Sequence, residues 1–301
     1  MELLTQRLDP DTVGGTSREE KEQSVGLSMM RCTTGDMQTN IDGVFVGRFA
    51  QIRARLDYSY HAMYSADRQL LQDEIILAFL TKARPSSTTE EPWAIFTAGA
   101  MGVGKTFVMN QLQKFGLLCL DDFVYVDPDA LRECIPEHAC YVQEDAKTAG
   151  FLTQKEAGLM AEVLTHAALE CGMSIIVDGS LRDSVWYEKH YAELRKQFPK
   201  ICLSIFLISA PLEDIYHRVS VCCDTLLFDG SRYSELSLTF LCETTTQERA
   251  TEIGRHIPPS VLEDSIRRVP LSVEKLRKYV DVLVEIYNAS QTGVEIVRIE
   301  T

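Results

Sequence analysis

The amino-acid sequence predicts an α/β fold: a three-layer sandwich around a mostly parallel sheet, with an N-terminal helical extension and one inserted, lid-like segment. Short apolar runs alternate with amphipathic helical segments from Trp93 onward. Those runs are continuously apolar, as expected of strands buried on both faces. A glycine-rich segment, 99–104, joins the first run to a helix.

Each element follows from its local pattern. Residues 1–45 are polar, contain Gly14-Gly15 and a Ser/Thr/Glu-rich stretch, and read as a flexible tail. Residues 46–90 form the extension. Between Phe49 and Lys82 the residues Leu70, Leu71, Ile75, Ile76, Phe79 and Leu80 recur near a 3.6-residue period, which predicts a helix; Pro85 and the polar run after it end the pattern. Strands are expected at Trp93–Ala98, Phe123–Val126, Ser174–Val177, Ile201–Ile208 and Tyr279–Ile286, with a sixth at Val294–Ile299. Helices are expected at Lys105–Phe115, Thr153–Cys171, Ser184–Gln197 and from Pro211 to Val219, with Thr153 and Glu156 as a capping box for the second. Residues 91–301 thus form one domain, interrupted at about 221–252 by a segment that breaks the strand–helix rhythm.

Composition narrows the partners. The 301 residues carry a net charge of −14, with 45% apolar and 25% charged residues. That balance argues against a broad basic surface for nucleic acid or anionic lipid. No run approaches the roughly 18 apolar residues of a membrane span, and the segment following Glu2 lacks an apolar signal core. Nine cysteines form no C-x-x-C pair, several lie in apolar runs, and they read as reduced, mostly buried thiols of a cytoplasmic protein.

The chemistry-bearing signal is Gly99-Ala100-Met101-Gly102-Val103-Gly104-Lys105-Thr106, which fits G-x-x-x-x-G-K-[ST]. Chance supplies this pattern in about one random 300-residue chain in a hundred. Its place between a buried strand and a helix makes it rarer still, and puts the domain in the P-loop NTPase class. The glycines let the backbone curl so that its N–H groups face phosphate oxygens, and the helix start adds its positive dipole end. Lys105 would reach the β- and γ-phosphates of ATP or GTP, and the Thr106 hydroxyl would ligate Mg²⁺. A guanine-reading N-K-x-D and an ABC-type signature are both missing from the sequence, so a small-molecule kinase is favoured over switch GTPases and transporters.

Further carboxylates fall where ligands bind a parallel sheet, beyond its C-terminal edge. The second strand runs into Val126-Asp127-Pro128-Asp129, which reads either as a helix-capping sequence or as two carboxylates, one ordering the loop and one taking a proton from a hydroxyl. The third ends Val177-Asp178-Gly179-Ser180-Leu181-Arg182; Asp178 reads as a Walker B carboxylate for Mg²⁺, and Ser180 and Arg182 as ligand contacts. By periodicity alone Glu162 is a surface charge. Arg218 and Arg255 are either exposed arginines or mobile cations that close over the transferred phosphoryl group.

Taken in order, the P-loop, the V-D-P-D-x-L-R-x-x-I-P run, the V-D-G-S-L-R strand end and the G-R-H-I-P segment resemble the zeta-toxin family of P-loop kinases, over roughly Arg68 to Asn288. Bacterial members phosphorylate the 3′-hydroxyl of the amino sugar of UDP-N-acetylglucosamine with ATP or GTP. The resemblance therefore implies a nucleotide-sugar acceptor. It implies that Asp129 is the catalytic base, that Glu162, Asp178, Ser180 and Arg182 line the acceptor site, and that Arg218 and Arg255 touch phosphates; Asp127, next to Asp129 in the turn, is counted with the acceptor contacts. Asp178 stands where bacterial members carry Glu. The resemblance supplies no antitoxin for this chain. The alternatives kept open are a 5′-hydroxyl polynucleotide or nucleoside kinase, a nucleotide-binding regulatory module without transfer, and a structural protein with a vestigial loop.

Overall fold

A computed structural model describes residues 43–84, 91–221, 259–291 and 293–301. The segment expected at 221–252 therefore lies, apart from Val221, outside the described residues, as does nearly all of the expected tail. Contacts divide the chain between Ile75 and Ile76.

In the first unit, α1 (Ala50–Arg53) and the start of α2 (Ala66–Leu80) replace the continuous helix expected from Phe49 to Lys82. The apolar period is regular only from Leu70, and residues 54–65 form turns instead. The Arg53 guanidinium is buried and pairs with Asp73 at 2.6 Å. It also donates to the Gln69 carbonyl at 3.1 Å and to Gln72 at 3.3 Å. A buried charge persists only with such partners, and truncating one side strands the other.

The second unit is built on six strands in the order β2-β3-β1-β4-β5-β6: β1 Trp93–Ala98, β2 Phe123–Val126, β3 Ser174–Val177, β4 Cys202–Ser209, β5 Val282–Ala289 and β6 Gly293–Glu300. The first five are parallel; β6 joins antiparallel at one edge. β1 lies between β3 and β4, in register Ala94 with Ile175 and Ala94 with Leu203. The chain leaves β1 toward one side for β2 and β3, then returns to the other for β4 and β5. β1 is therefore the point where strand order reverses, and ligands bind at the carboxyl ends of strands at such a point.

Helices cover both faces: α3 Lys105–Lys114, α4 Pro128–Glu133, α5 His138–Glu170, α6 Ser184–Gln197, α7 Leu212–Val221 and α8 Pro259–Leu276. Neighbouring residues of β1 face opposite ways. Ile95 packs with Val108, Met109 and Leu112 of α3 and with Ile215 of α7. Phe96 meets Tyr187, His190 and Tyr191 of α6 edge-on.

Three expectations are corrected. The long helix begins at His138, and its one break is Asp145, with φ −159° and ψ 99°. Thr153 is therefore no cap; it is buried within α5 and its hydroxyl donates to the Ala149 carbonyl one turn back at 2.8 Å. β5 starts at Val282 rather than Tyr279, because residues 277–279 form a 3₁₀ turn. The thiols are not mostly buried: of the described cysteines, Cys119, Cys134 and Cys140 are exposed and Cys171 and Cys202 are intermediate, since they sit at helix ends, turns and strand margins. Helix α8 was not foreseen; Pro270 lies within it, on its exposed side.

Helix α6 starts cleanly because the Asp183 carboxylate accepts from the N–H groups of Val185 and Trp186, each at 3.1 Å. Asp183→Ala should cost about 1 kcal/mol, as loss of such a cap does. A melting temperature unchanged within about 1 °C would count against it; about 2–4 °C is expected for a domain of this size.

Candidate active site

The loop after β1 is held from behind. Gly104 and Gly102 each have φ +83°; a Cβ on Gly104 would lie 2.6 Å from Asn288 Nδ2, and one on Gly102 would lie 2.9 Å from the Ile215 carbonyl. Only glycine fits both the dihedral and the space. Ala100 and Val103 are not arbitrary fillers: both are buried in the core beneath the loop. α3 begins immediately after Gly104, so its free N–H groups and dipole end face the loop's opening. Thr106 is exposed on the first turn, and Met101 is partly exposed.

Lys105 and Asp178 meet across the β1–β3 boundary, Nζ to Oδ1 at 3.9 Å, both largely shielded. Asp178 is oriented by Thr97, whose hydroxyl donates to Oδ1 at 2.8 Å and accepts from the Gly179 N–H at 3.2 Å. Thr97 is a residue that sequence reasoning passed over. Its signal was a polar side chain within the apolar strand Trp93–Ala98, and it is fully buried there.

The Asp-Pro-Asp turn opens α4. Asp127 caps α4 through Oδ1, which accepts from the Asp129 N–H at 2.8 Å, with Pro128 in the first helical turn. Burial pushes the Asp127 carboxyl above its usual range, and the neighbouring Asp178 charge pushes it further. Asp129 rides on that first turn, partly exposed, and its carboxylate pairs with the buried guanidinium of Arg132. Within reach of the charges of Asp127 and Asp178 is Tyr125, also unforeseen. Burial raises its phenol well above the ordinary value, and both carboxylates add to this. Its hydroxyl is buried without a hydrogen-bond partner among the described residues.

The turn after β3 carries Ser180, half-buried, and Arg182, whose side chain is exposed. Leu181 holds φ +53°, a left-handed conformation that is uncommon for leucine and recurs where a functional turn is over-determined by its surroundings. Burial of the Leu181 side chain and a 2.8 Å hydrogen bond from Ser272 of α8 to the Arg182 carbonyl hold the turn. Glu162 is not a surface charge: it is half-buried on α5, close enough to His190 to raise its basicity. Burial outweighs this and lowers His190 to about 4. Trp186 stacks on the imidazole at 4.7 Å.

His190 therefore predicts an acid sensitivity. Its folded pKa is depressed, so the unfolded chain binds the extra proton; the stability is present above about 6.5 and is lost as pH falls toward 4. The drop should be on the order of 3 kcal/mol over that window. Thermal melts of the wild type and His190→Gln between pH 7 and 4.5 check it: the two curves should converge in slope if any other group dominates.

Arg218 sits behind the loop. It donates to the Val103 carbonyl at 3.2 Å, to the Asn288 carbonyl at 3.0 Å and to Ser290 Oγ at 3.2 Å, and pairs with Asp214 at 3.4 Å. Arg255 lies outside the described residues.

The zeta toxin family model matches residues 78–205. Over that span the chain is similar to zeta toxins. The match takes in the P-loop, the Asp-Pro-Asp turn, Glu162 and the turn after β3, and ends within β4, before Arg218 and Asn288. No curated protein matches the sequence. Among solved structures, one from the PezAT chromosomal toxin–antitoxin system of Streptococcus pneumoniae is 17% identical, covers 78% of this chain and 82% of that one, and superposes with a TM-score of 0.55. At that identity the likeness is one of fold, and it fits the open, mostly parallel sheet described above. The AvrRxo1-ORF1:-ORF2 complex with ATP is 14% identical, with 78% and 68% of the two chains covered and a TM-score of 0.44.

Two features of the matched region suit a nucleotide with a divalent cation. The orphaned Tyr125 hydroxyl points to a missing polar partner, and the Asp127–Asp178 repulsion is of the kind a bound cation relieves. Among the described residues no group of three or more His, Cys, Asp or Glu side chains is arranged to hold a metal alone. A metal here would depend on nucleotide oxygens, as Mg²⁺ in P-loop proteins does. Among the described residues no helix is long and apolar enough to cross a membrane.

Proposed function

We propose that this protein is a cytoplasmic phosphotransferase that moves the γ-phosphoryl group of ATP, or GTP, to a hydroxyl of a small molecule. The observation that carries the reading is the meeting of Lys105 and Asp178 at 3.9 Å at the mouth of the glycine loop, on the edge where Asp127 and Asp129 also emerge. The catalytic domain would be residues 91–301, preceded by a tail at 1–45 and a helical extension at 46–90.

The loop Gly99–Thr106 would cradle the phosphates with its backbone N–H groups, and Lys105 would hold the β- and γ-phosphates. Mg²⁺, bound with the nucleotide through the Thr106 hydroxyl and near Asp178, would neutralise charge on the phosphate oxygens. Asp129 would orient the acceptor hydroxyl and take its proton late in an in-line transfer. Arg132 holds that carboxylate in place, and the α4 cap on Asp127 fixes the turn that presents it. Glu162, Ser180 and Arg182 would bind the acceptor. Arg218 and Arg255 would stabilise the transferring group; for Arg218 this requires a swing away from its present partners. Positioning and electrostatics then supply most of the rate.

The acceptor class we favour is a nucleotide sugar such as UDP-N-acetylglucosamine, on the strength of the similarity to zeta toxins over 78–205. The test is incubation with labelled ATP and separate panels of nucleotide sugars, nucleosides, oligonucleotides and a metabolite extract, read by mass spectrometry. A phosphorylated sugar nucleotide is the expected product. Transfer to oligonucleotides would move the protein to the polynucleotide-kinase class, and no product together with no ATP-induced rise in melting temperature would end the kinase reading.

A further inference from the structure

The carbonyl of Val103, inside the glycine loop, accepts two hydrogen bonds from outside the loop. One comes from Asn288 Nδ2 at 2.7 Å, at the end of β5; the other comes from Arg218 at 3.2 Å, on α7. Asn288 is 3% exposed, so its amide cannot exchange this partner for water. Its backbone carbonyl in turn accepts from Arg218 at 3.0 Å, and Asp214 accepts from the Ser290 N–H at 2.6 Å. The end of β5 and the helix α7 are thus knitted into one brace behind the loop.

The consequence follows from peptide geometry. In a planar trans peptide the C=O and the next N–H point in opposite directions. With the Val103 carbonyl fixed toward Asn288 and Arg218, the Gly104 N–H is turned away from them, toward the side on which the phosphates are proposed to sit. An unbraced peptide here could flip, since Gly104 has little barrier to alternative dihedrals.

We propose that Asn288 is a positioning residue for nucleotide binding: its side-chain amide locks the Val103–Gly104 peptide so that the Gly104 N–H is aimed at a phosphate before nucleotide arrives. The inference rests on the reading of 99–106 as a phosphate loop. It adds a residue beyond the matched segment 78–205, from a strand end 185 positions away in sequence from its partner.

The test uses the full-length protein, MgATP as ligand, and the variants Asn288→Ala and Asn288→Asp. Removing the donor leaves a buried carbonyl short of a partner and frees the peptide. MgATP affinity by calorimetry should fall on the order of tenfold for Asn288→Ala, the equivalent of one unmade buried hydrogen bond. Asn288→Asp, nearly isosteric but acceptor-only, should fall further. The ATP-induced rise in melting temperature should shrink in step, and KM for ATP should rise more than kcat falls. Leu276→Ala, a core change away from the loop, serves as control: it should lower the melting temperature without changing MgATP affinity. Wild-type hydrogen exchange gives a measurement independent of variant folding, in which a non-hydrolysable ATP analogue should slow exchange at the Gly104 amide. Unchanged affinity in both Asn288 variants, or no protection at Gly104 on analogue binding, overturns the inference. Wild-type protein that binds no nucleotide at all overturns the proposed function first, and the inference with it.

Discussion

Lys105→Ala should abolish phosphoryl transfer while leaving the fold intact. The side chain is a cation at the mouth of the site, and its Nζ faces Asp178 at 3.9 Å. Without it, the negative charge of Asp178 would face the phosphates with no side-chain cation beside it at 3.9 Å. The amine would act in a shielded, low-dielectric site, where a fixed cation is worth more than in water. A loss of about a thousandfold or more in turnover corresponds to roughly 4 kcal/mol of transition-state stabilisation, within what one electrostatic contact supplies. Burial of Val108, Met109 and Leu112, not the lysine, anchors α3, so the melting temperature should stay close to that of the wild type. Transfer within tenfold of wild type would remove Lys105 from the mechanism.

The second large effect is expected at Asp129. Asp129→Asn should cut turnover by about a hundredfold or more and leave ATP affinity nearly unchanged, because the change removes a general base without touching the loop. The structure sharpens the control. Asp129 pairs with Arg132, which is buried, so the neutral amide weakens a charge-assisted contact as well as removing the base. Arg132→Met separates the two roles. If Asp129 acts as base and Arg132 only positions it, Arg132→Met should lower kcat less than Asp129→Asn does. Near-normal turnover in Asp129→Asn on the true acceptor would refute the base assignment.

Strands β1, β2 and β3 and helix α6 begin and end where the sequence pattern places them, because each is a short apolar or amphipathic run closed by Gly, Asp or Pro. The glycine loop is equally plain, since its requirement is local: particular dihedrals in consecutive residues. Helix α8 stayed hidden because prolines that are tolerable at a first turn and on an exposed face look like breaks in one dimension. The start of α5 at His138 was obscured by Asp145, whose extended backbone splits the helix.

The site divides along the same line. The sequence by itself determined the phosphate loop, the acidic residues at the strand ends and the parallel order that brings them to one edge. Only the tertiary structure decided that Thr97 orients Asp178, that Tyr125 is buried within reach of the charges of two carboxylates, that Glu162 is turned inward beside His190, and that Asn288 and Arg218 brace Val103. The physical reason is range. Dihedral preference and hydrophobic period act over a few residues, whereas these contacts join groups up to 185 positions apart and exist only once the sheet has placed its strand ends side by side.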